Sequence, residues 1–332
     1  MILVTGGTGM VGTHLLLALT QQGCRVRALK RKGSSVSETE KTFRYYSQRA
    51  DELLSRIEWT EGDVMDIFSL EEALKDVTHV YHAAAMVSFD PKERDAMLKI
   101  NMEGTANLVN VSMDYGVKKF CHLSSVAALG KTIDLQNINE DTWWKNDPSN
   151  SWYAISKYNA EREVWRASEE GMDVVIVNPS VIVGAGNVSR SSNAIFGMAK
   201  KGFSWYTKGS GGFVDAQDVA DACVKLMESE IVNERFVLSA ENMTYRDFAD
   251  EILKLFGNKP VRRQLSSFTL GLLWRIEKFI SNLSGRSPRI TKESAAAASE
   301  IASYNGKRIA ERIGFTYKPI HQSLQEVVGY YR

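Results

Sequence analysis

Tyr153-Ala154-Ile155-Ser156-Lys157 sets a phenol and an ammonium four residues apart. In a helix that spacing puts both on one face. A free tyrosine has a pKa of about 10 and trades protons poorly near neutrality. A neighbouring lysine cation favours the phenolate and lowers that value. The pair is therefore a candidate acid/base, although Tyr-x-x-x-Lys by itself is common on helix surfaces. Upstream, Leu123-Ser124-Ser125 reads as the close of a strand. A hydroxyl there can hydrogen-bond a substrate carbonyl, or simply cap backbone after the strand.

A second group would act through its backbone. Thr5-Gly6-Gly7-Thr8-Gly9-Met10-Val11-Gly12 follows an apolar run and precedes a helical pattern. Gly6, Gly9 and Gly12 leave room for a tight turn, for close approach of a pyrophosphate and for close helix–strand packing. The N–H groups at the helix start, at Met10 and Val11, then face the phosphates. At the end of the second strand an acid would hold the ribose 2′-hydroxyl of NAD. The chain instead has Lys30-Arg31-Lys32. Arg31, with Lys32, suits a 2′-phosphate, which points to NADP(H) over NAD(H). The bland alternative is a solvated basic turn.

Such groups need a scaffold that brings strand ends together. Strands are expected at 2–4, 25–29, 57–61, 77–83, 119–124 and 173–178, with helices between them at 10–19, 96–115 and 151–170. This alternation predicts a doubly wound, mainly parallel α/β sheet of Rossmann type. Residues 1–184 form the dinucleotide-binding domain with the catalytic residues. Residues 185–332 form a smaller, mostly helical substrate lobe, with the stretch around 213–240 returning to the first domain. In the later half, helices are expected at 216–228, 245–256, 268–283 and 291–302, and a strand at 235–238.

Composition narrows the classes. The 332 residues are 44% hydrophobic and 24% charged, with a formal charge of +1. Disorder and a global attraction to nucleic acid or anionic lipid are thereby excluded. Cys24, Cys121 and Cys223 lack metal spacing and read as small residues of a reducing compartment. His14, His79, His82, His122 and His321 form no zinc pattern, so no metal is expected. No apolar run spans a bilayer, and the cytoplasm is the expected location.

With these residues in view, the chain resembles the extended short-chain dehydrogenase/reductase family, the NAD-dependent epimerase/dehydratase superfamily. The resemblance rests on 5–12, Gly62-Asp63-Val64, His82-Ala83-Ala84-Ala85, Asn101-Met102-Glu103-Gly104-Thr105, 123–125, 153–157, Asn178-Pro179-Ser180 and Phe213-Val214-Asp215, in that order. It implies that Ser125 is the catalytic serine, ahead of Ser124. Tyr153 is the acid/base and Lys157 binds the nicotinamide ribose. Asp63 and Val64 would sit by the adenine, Ala83, Ala84 and Asn101 along the cofactor, and Pro179 and Ser180 beside the nicotinamide. Arg31 would meet the 2′-phosphate. A homodimer through helices 96–115 and 151–170 is also implied.

The pattern is nearest the dihydroflavonol reductase-like branch. Sugar-nucleotide members usually carry a cation two residues before the Phe of Phe-Val-Asp. Here Gly211 stands there, with Arg190 as a possible substitute. Residues 268–280 form an apolar, aromatic helix that could cover substrate, fill core, or meet a partner or membrane surface. Trp143, Trp144 and Trp152 could wall a pocket or merely pack. The expected activity is NADPH-dependent reduction of a ketone or aldehyde of a small, rather apolar compound by Ser125, Tyr153 and Lys157. The alternative is a nucleotide-sugar epimerase or dehydratase with tightly bound NAD.

Overall fold

The structure, a computed structural model, describes residues 1–188, 191–284, 286–288 and 290–332. Seven strands form one sheet, β1 (Ile2–Thr5), β2 (Val26–Lys30), β3 (Ile57–Glu61), β4 (His79–His82), β5 (Lys119–Leu123), β6 (Asp173–Pro179) and, much later, β10 (Glu234–Leu238). Between the last two lie β7 (Val181–Val183), β8 (Trp205–Tyr206) and β9 (Ser210–Asp215). The sheet order is β10-β6-β5-β4-β1-β2-β3, and every pairing is parallel. The chain winds outward from β1 in one direction and then restarts from β4 in the other. Ligands of such sheets bind where the order reverses, at the C-terminal ends of the strands. Here that is the mouth between β1 and β4.

Strands buried on both faces read as near-continuous apolar runs, which is why these were visible in the sequence. Alternate residues go to opposite faces. Leu3, Val80, Phe120 and Val174 meet α4 (Ile67–Ala73), α5 (Arg94–Asp114) and α6 (Trp152–Glu169). Val4, Tyr81, Cys121 and Val175 meet α1 (Met10–Gln21), α2 (Ser37–Tyr46), α3 (Ala50–Leu54) and α8 (Ala216–Glu228). The segment 216–238 thus returns to the main sheet, with α8 packed on α1 and β10 beside β6.

A third core builds the lobe. It joins α7 (Ala194–Lys201), α9 (Tyr245–Leu255) and α13 (Ile320–Tyr331) to β7 and β9 through Phe196, Phe213, Phe248, Ile252 and Leu324. β9 pairs with β7 and with β11 (Glu241–Thr244), while β8 pairs with β12 (Arg263–Gln264). The remaining helices are α10 (Ser267–Ser284), α11 (Lys292–Ala297) and α12 (Arg308–Ile313). The helix expected at 291–302 stops early because Ile301 and Ala302 pair with Ser210 instead.

His82 ends β4 fully buried, with Thr5 at 2.7 Å and Thr105 at 3.0 Å on its two ring nitrogens. Burial holds its pKa down at about 3, and Lys157 nearby adds to the lowering. An unfolded histidine titrates near 6.5, so between these values the unfolded chain binds more protons and stability falls as pH falls. At about pH 5 this single group costs roughly 2 kcal/mol. The urea midpoint should therefore drop between about pH 7.5 and about pH 5, where most carboxylates remain ionised. An unchanged midpoint would mean that the folded protein admits the proton.

Candidate active site

The glycine turn sits at the reversal point because nothing larger than hydrogen fits. Gly6 has φ +72°, and a Cβ there would lie 2.7 Å from the Ala83 carbonyl and the Ala84 nitrogen. A Cβ at Gly12 would lie 2.1 Å from the Gly6 oxygen. The turn is thus pressed onto the end of β4, and Thr5 ties the two by accepting from the Ala84 N–H at 3.2 Å. Gly9 caps α1 with no side-chain acceptor, which leaves the first helical N–H groups facing outward.

From this turn a groove of about 1470 Å³ runs past Gly9 and Met10 to Arg31, Lys32 and Asp63. Arg31 and Lys32 stand exposed on its rim, whereas Lys30 is drawn aside to Glu61 at 3.0 Å. Asp63 accepts from the Met65 N–H at 2.9 Å. Val11 and Val64 are buried beneath the groove, and Val64 lies so close to α5 that Gly104 has no room for a Cβ. The close turn, the outward N–H groups and the basic rim fit a dinucleotide. Among the described residues, no cluster of three or more His, Cys, Asp or Glu could hold a metal ion.

Asn101 does not reach this groove. It is buried, accepts from the Met86 N–H at 2.7 Å, and donates to the Met86 carbonyl and the Ser156 hydroxyl. Its amide clasps the chain after β4 to α6. Pro179 and Ser180 close β6, and Ser180 donates twice to the Leu238 carbonyl.

The candidate catalytic side chains gather at the end of β5. The Ser151 hydroxyl caps α6 by accepting from the Ala154 N–H at 3.1 Å, which sets the helix start at Trp152, one residue before Tyr153. Lys157 is buried and donates to the Leu123 carbonyl at 2.8 Å. Burial lowers its pKa to about 8, with Glu161 opposing the fall. Ser125 stands close enough to the Tyr153 phenol to favour its charged form. Its hydroxyl also accepts from the Ala127 N–H at 3.1 Å, and its carbonyl accepts from Asn178 at 3.0 Å. Ser124 faces the other way, donating to Glu161 at 2.7 Å.

One expectation is reversed. Tyr153 is not held below its ordinary pKa: burial is the largest influence and pushes the phenol up, with Ser125 pulling it partly back. The phenol therefore keeps its proton at neutral pH.

Two features were not read in the sequence. Glu161, one turn beyond Lys157, is a buried carboxylate taking Asn178 at 2.9 Å and Arg235 at 3.0 Å as well as Ser124. Phe89 lies 6.1 Å from Tyr153, ring to ring, and is exposed together with Val87. Two bulky apolar residues flanking Ser88, in the loop after β4, were the available signal. Of the three tryptophans, Trp144 stacks on Tyr158, while Trp143 and Trp152 are exposed. At Gly211 a Cβ would stand 3.3 Å from the Tyr245 hydroxyl, a close fit against the end of one side chain. Arg190 lies outside the described residues.

Comparison with known proteins follows this geometry. The model of the NAD dependent epimerase/dehydratase family matches residues 2–239. A putative dihydroflavonol 4-reductase of Synechocystis sp. is 27% identical over 99% of this chain and 94% of its own length. Sterol demethylase protein B of Methylococcus capsulatus is 30% identical over 78% of this chain and 76% of its own length. The crystal structure of gox2253 superposes with a TM-score of 0.81 at 28% identity, covering 100% of this chain and 97% of that one.

Glu161→Gln tests how the site is supported. The substitution removes the carboxylate that keeps Lys157 charged, so the lysine should lose its proton at a lower pH. If the charged lysine is needed for cofactor binding, the alkaline fall of kcat/KM for the cofactor, expected near about pH 8, moves toward acid. Stability should drop by about 2–3 kcal/mol as Arg235 loses its partner. A lower melting temperature with an unmoved pH profile would confine Glu161 to a structural role.

Proposed function

Because the chain belongs to the NAD dependent epimerase/dehydratase family, we propose that it is an NADPH-dependent reductase of a small, rather apolar ketone or aldehyde. The observation that carries this reading is the half-buried Tyr153 phenol, which keeps its proton at neutral pH and stands beside Ser125, one turn from the buried Lys157. A protonated phenol is what a carbonyl reduction requires of its acid.

A reduced nicotinamide, when bound, would supply the hydride. Tyr153 gives its proton to the carbonyl oxygen as negative charge develops there. Ser125, fixed by Ala127 and Asn178, donates a hydrogen bond to the same oxygen. Lys157, charged below about pH 8 and pinned to Leu123, holds a ribose hydroxyl and steadies the phenolate that remains. Arg31 and Lys32 take the 2′-phosphate, and Asp63 meets the adenine. Pro179 and Ser180 flank the nicotinamide.

The exposed aromatic ring of Phe89 beside Tyr153, and the absence of a cation at Gly211, support a substrate without a diphosphate. The names of the two relatives, a dihydroflavonol reductase and a sterol demethylase protein, favour the same class. A homodimer through α5 and α6, in the cytoplasm, completes the proposal. The second reading, a nucleotide-sugar epimerase or dehydratase with tightly bound NAD, draws its support from the name of the family.

The deciding experiment follows NADPH absorbance with a panel of ketones, aldehydes and nucleotide sugars. Turnover is expected with a ketone or aldehyde. Tyr153→Phe should cut it by roughly 10²–10⁴-fold while NADPH still binds. Protein that retains NAD and converts only a nucleotide sugar overturns the reductase reading. Arg31→Ala should raise the KM for NADPH by roughly ten- to a hundredfold and leave that for NADH nearly unmoved. An equal effect on both would remove Arg31 from 2′-phosphate recognition.

A further inference from the structure

Helix α10 is 18 residues long, or about 27 Å. It turns Phe268, Leu272, Ile276, Phe279 and Leu283 to solvent, with exposures from 45% to 82%. Their spacing of three and four residues lays them along one stripe. The other side of the helix meets the protein, where Leu270 and Ser281 are buried. Nothing in the cofactor groove or around Tyr153 uses this stripe. Among the described residues no helix is long and apolar enough to cross a membrane.

Charge says what covers the stripe. From 259 to 292 the sequence holds eight Lys and Arg against the single acid Glu277, in a chain whose total is +1. Glu277 is itself engaged by Arg286 at 3.3 Å. Arg275 and Lys278 stand exposed beside the stripe, and Lys259, Arg262 and Arg263 are exposed just before the helix. A second copy of the chain docked by the same face would set this cationic rim against itself. An anionic bilayer offers both complements, acyl chains for the stripe and phosphates for the rim.

We propose that α10 docks the protein on an anionic lipid surface, lying flat with its apolar stripe among the acyl chains. The docking is independent of the reaction the site performs.

Sedimentation of the full chain with vesicles tests it. The protein should bind phosphatidylcholine vesicles containing phosphatidylglycerol, bind pure phosphatidylcholine much less, and release as salt is raised. The double variant Phe268→Ser/Phe279→Ser should lower the bound fraction by roughly tenfold or more, with an unchanged melting temperature because both side chains are solvent-exposed. Arg275→Glu/Lys278→Glu should erase the preference for anionic lipid. Equal binding to both vesicle types, or no binding, overturns the proposal. So does self-association of the wild type in light scattering that the double phenylalanine variant abolishes.

Discussion

Glu161 sets a carboxylate in a place with almost no water, and an ion so placed costs several kcal/mol unless donors replace its solvent. The donors come from far apart in the chain. Ser124 arrives from the end of β5, Asn178 from β6, Arg235 from β10 and Trp165 from the next turn of α6. Arg235 reaches on to the Glu140 carbonyl at 2.6 Å and draws in the loop before α6. The carboxylate can be satisfied only when three strands and a helix stand in one register. Lys157 and Tyr153 lie one and two turns back along that helix. Their placement against the end of β5 follows from the same requirement, and so does the freeing of Ser125, since Ser124 is the serine turned inward.

The legible parts of the site were those whose logic is local. A glycine turn between strand and helix, a Tyr and Lys on one helical face, and a cationic end to β2 each lie within a dozen residues. What escaped depends on distant partners. Glu161 in the sequence is one acid in a charged helix, and only Asn178 and Arg235 reveal its burial. Asn101 shows the same limit: its amide joins Met86 to Ser156, partners that lie far apart in the sequence. The protonation of Tyr153 also turned on burial, which no spacing reports.

The fold divides in the same way. Parallel strands buried on both faces announce themselves as apolar runs, so the order of the sheet's elements could be read. The lobe could not. Ser210–Asp215 is a strand outside those expected, and its glycines admit the close approach of Ser180, Ser239 and Tyr245. Helix α13, whose apolar side fills the third core, went unread, and the stripe on α10 had several readings until its exposure was known. Charge followed the same course. The near-zero total conceals a basic cluster at one groove and a longer basic stretch around one helix.

Asn101 holds the loop after β4 by one backbone clasp at Met86. Beyond it, Phe89 projects beside Tyr153 and Val87 lines the groove, and neither joins a buried core cluster. Side chains that contribute little to folding can change at little cost to it. On the proposed reading, substrate preference is thereby separated from stability, and the positions most open to evolutionary drift are those that would touch the molecule being transformed. A new specificity could arise here by exchange of two or three loop residues, while the proton donor and the cofactor cradle stay as they are.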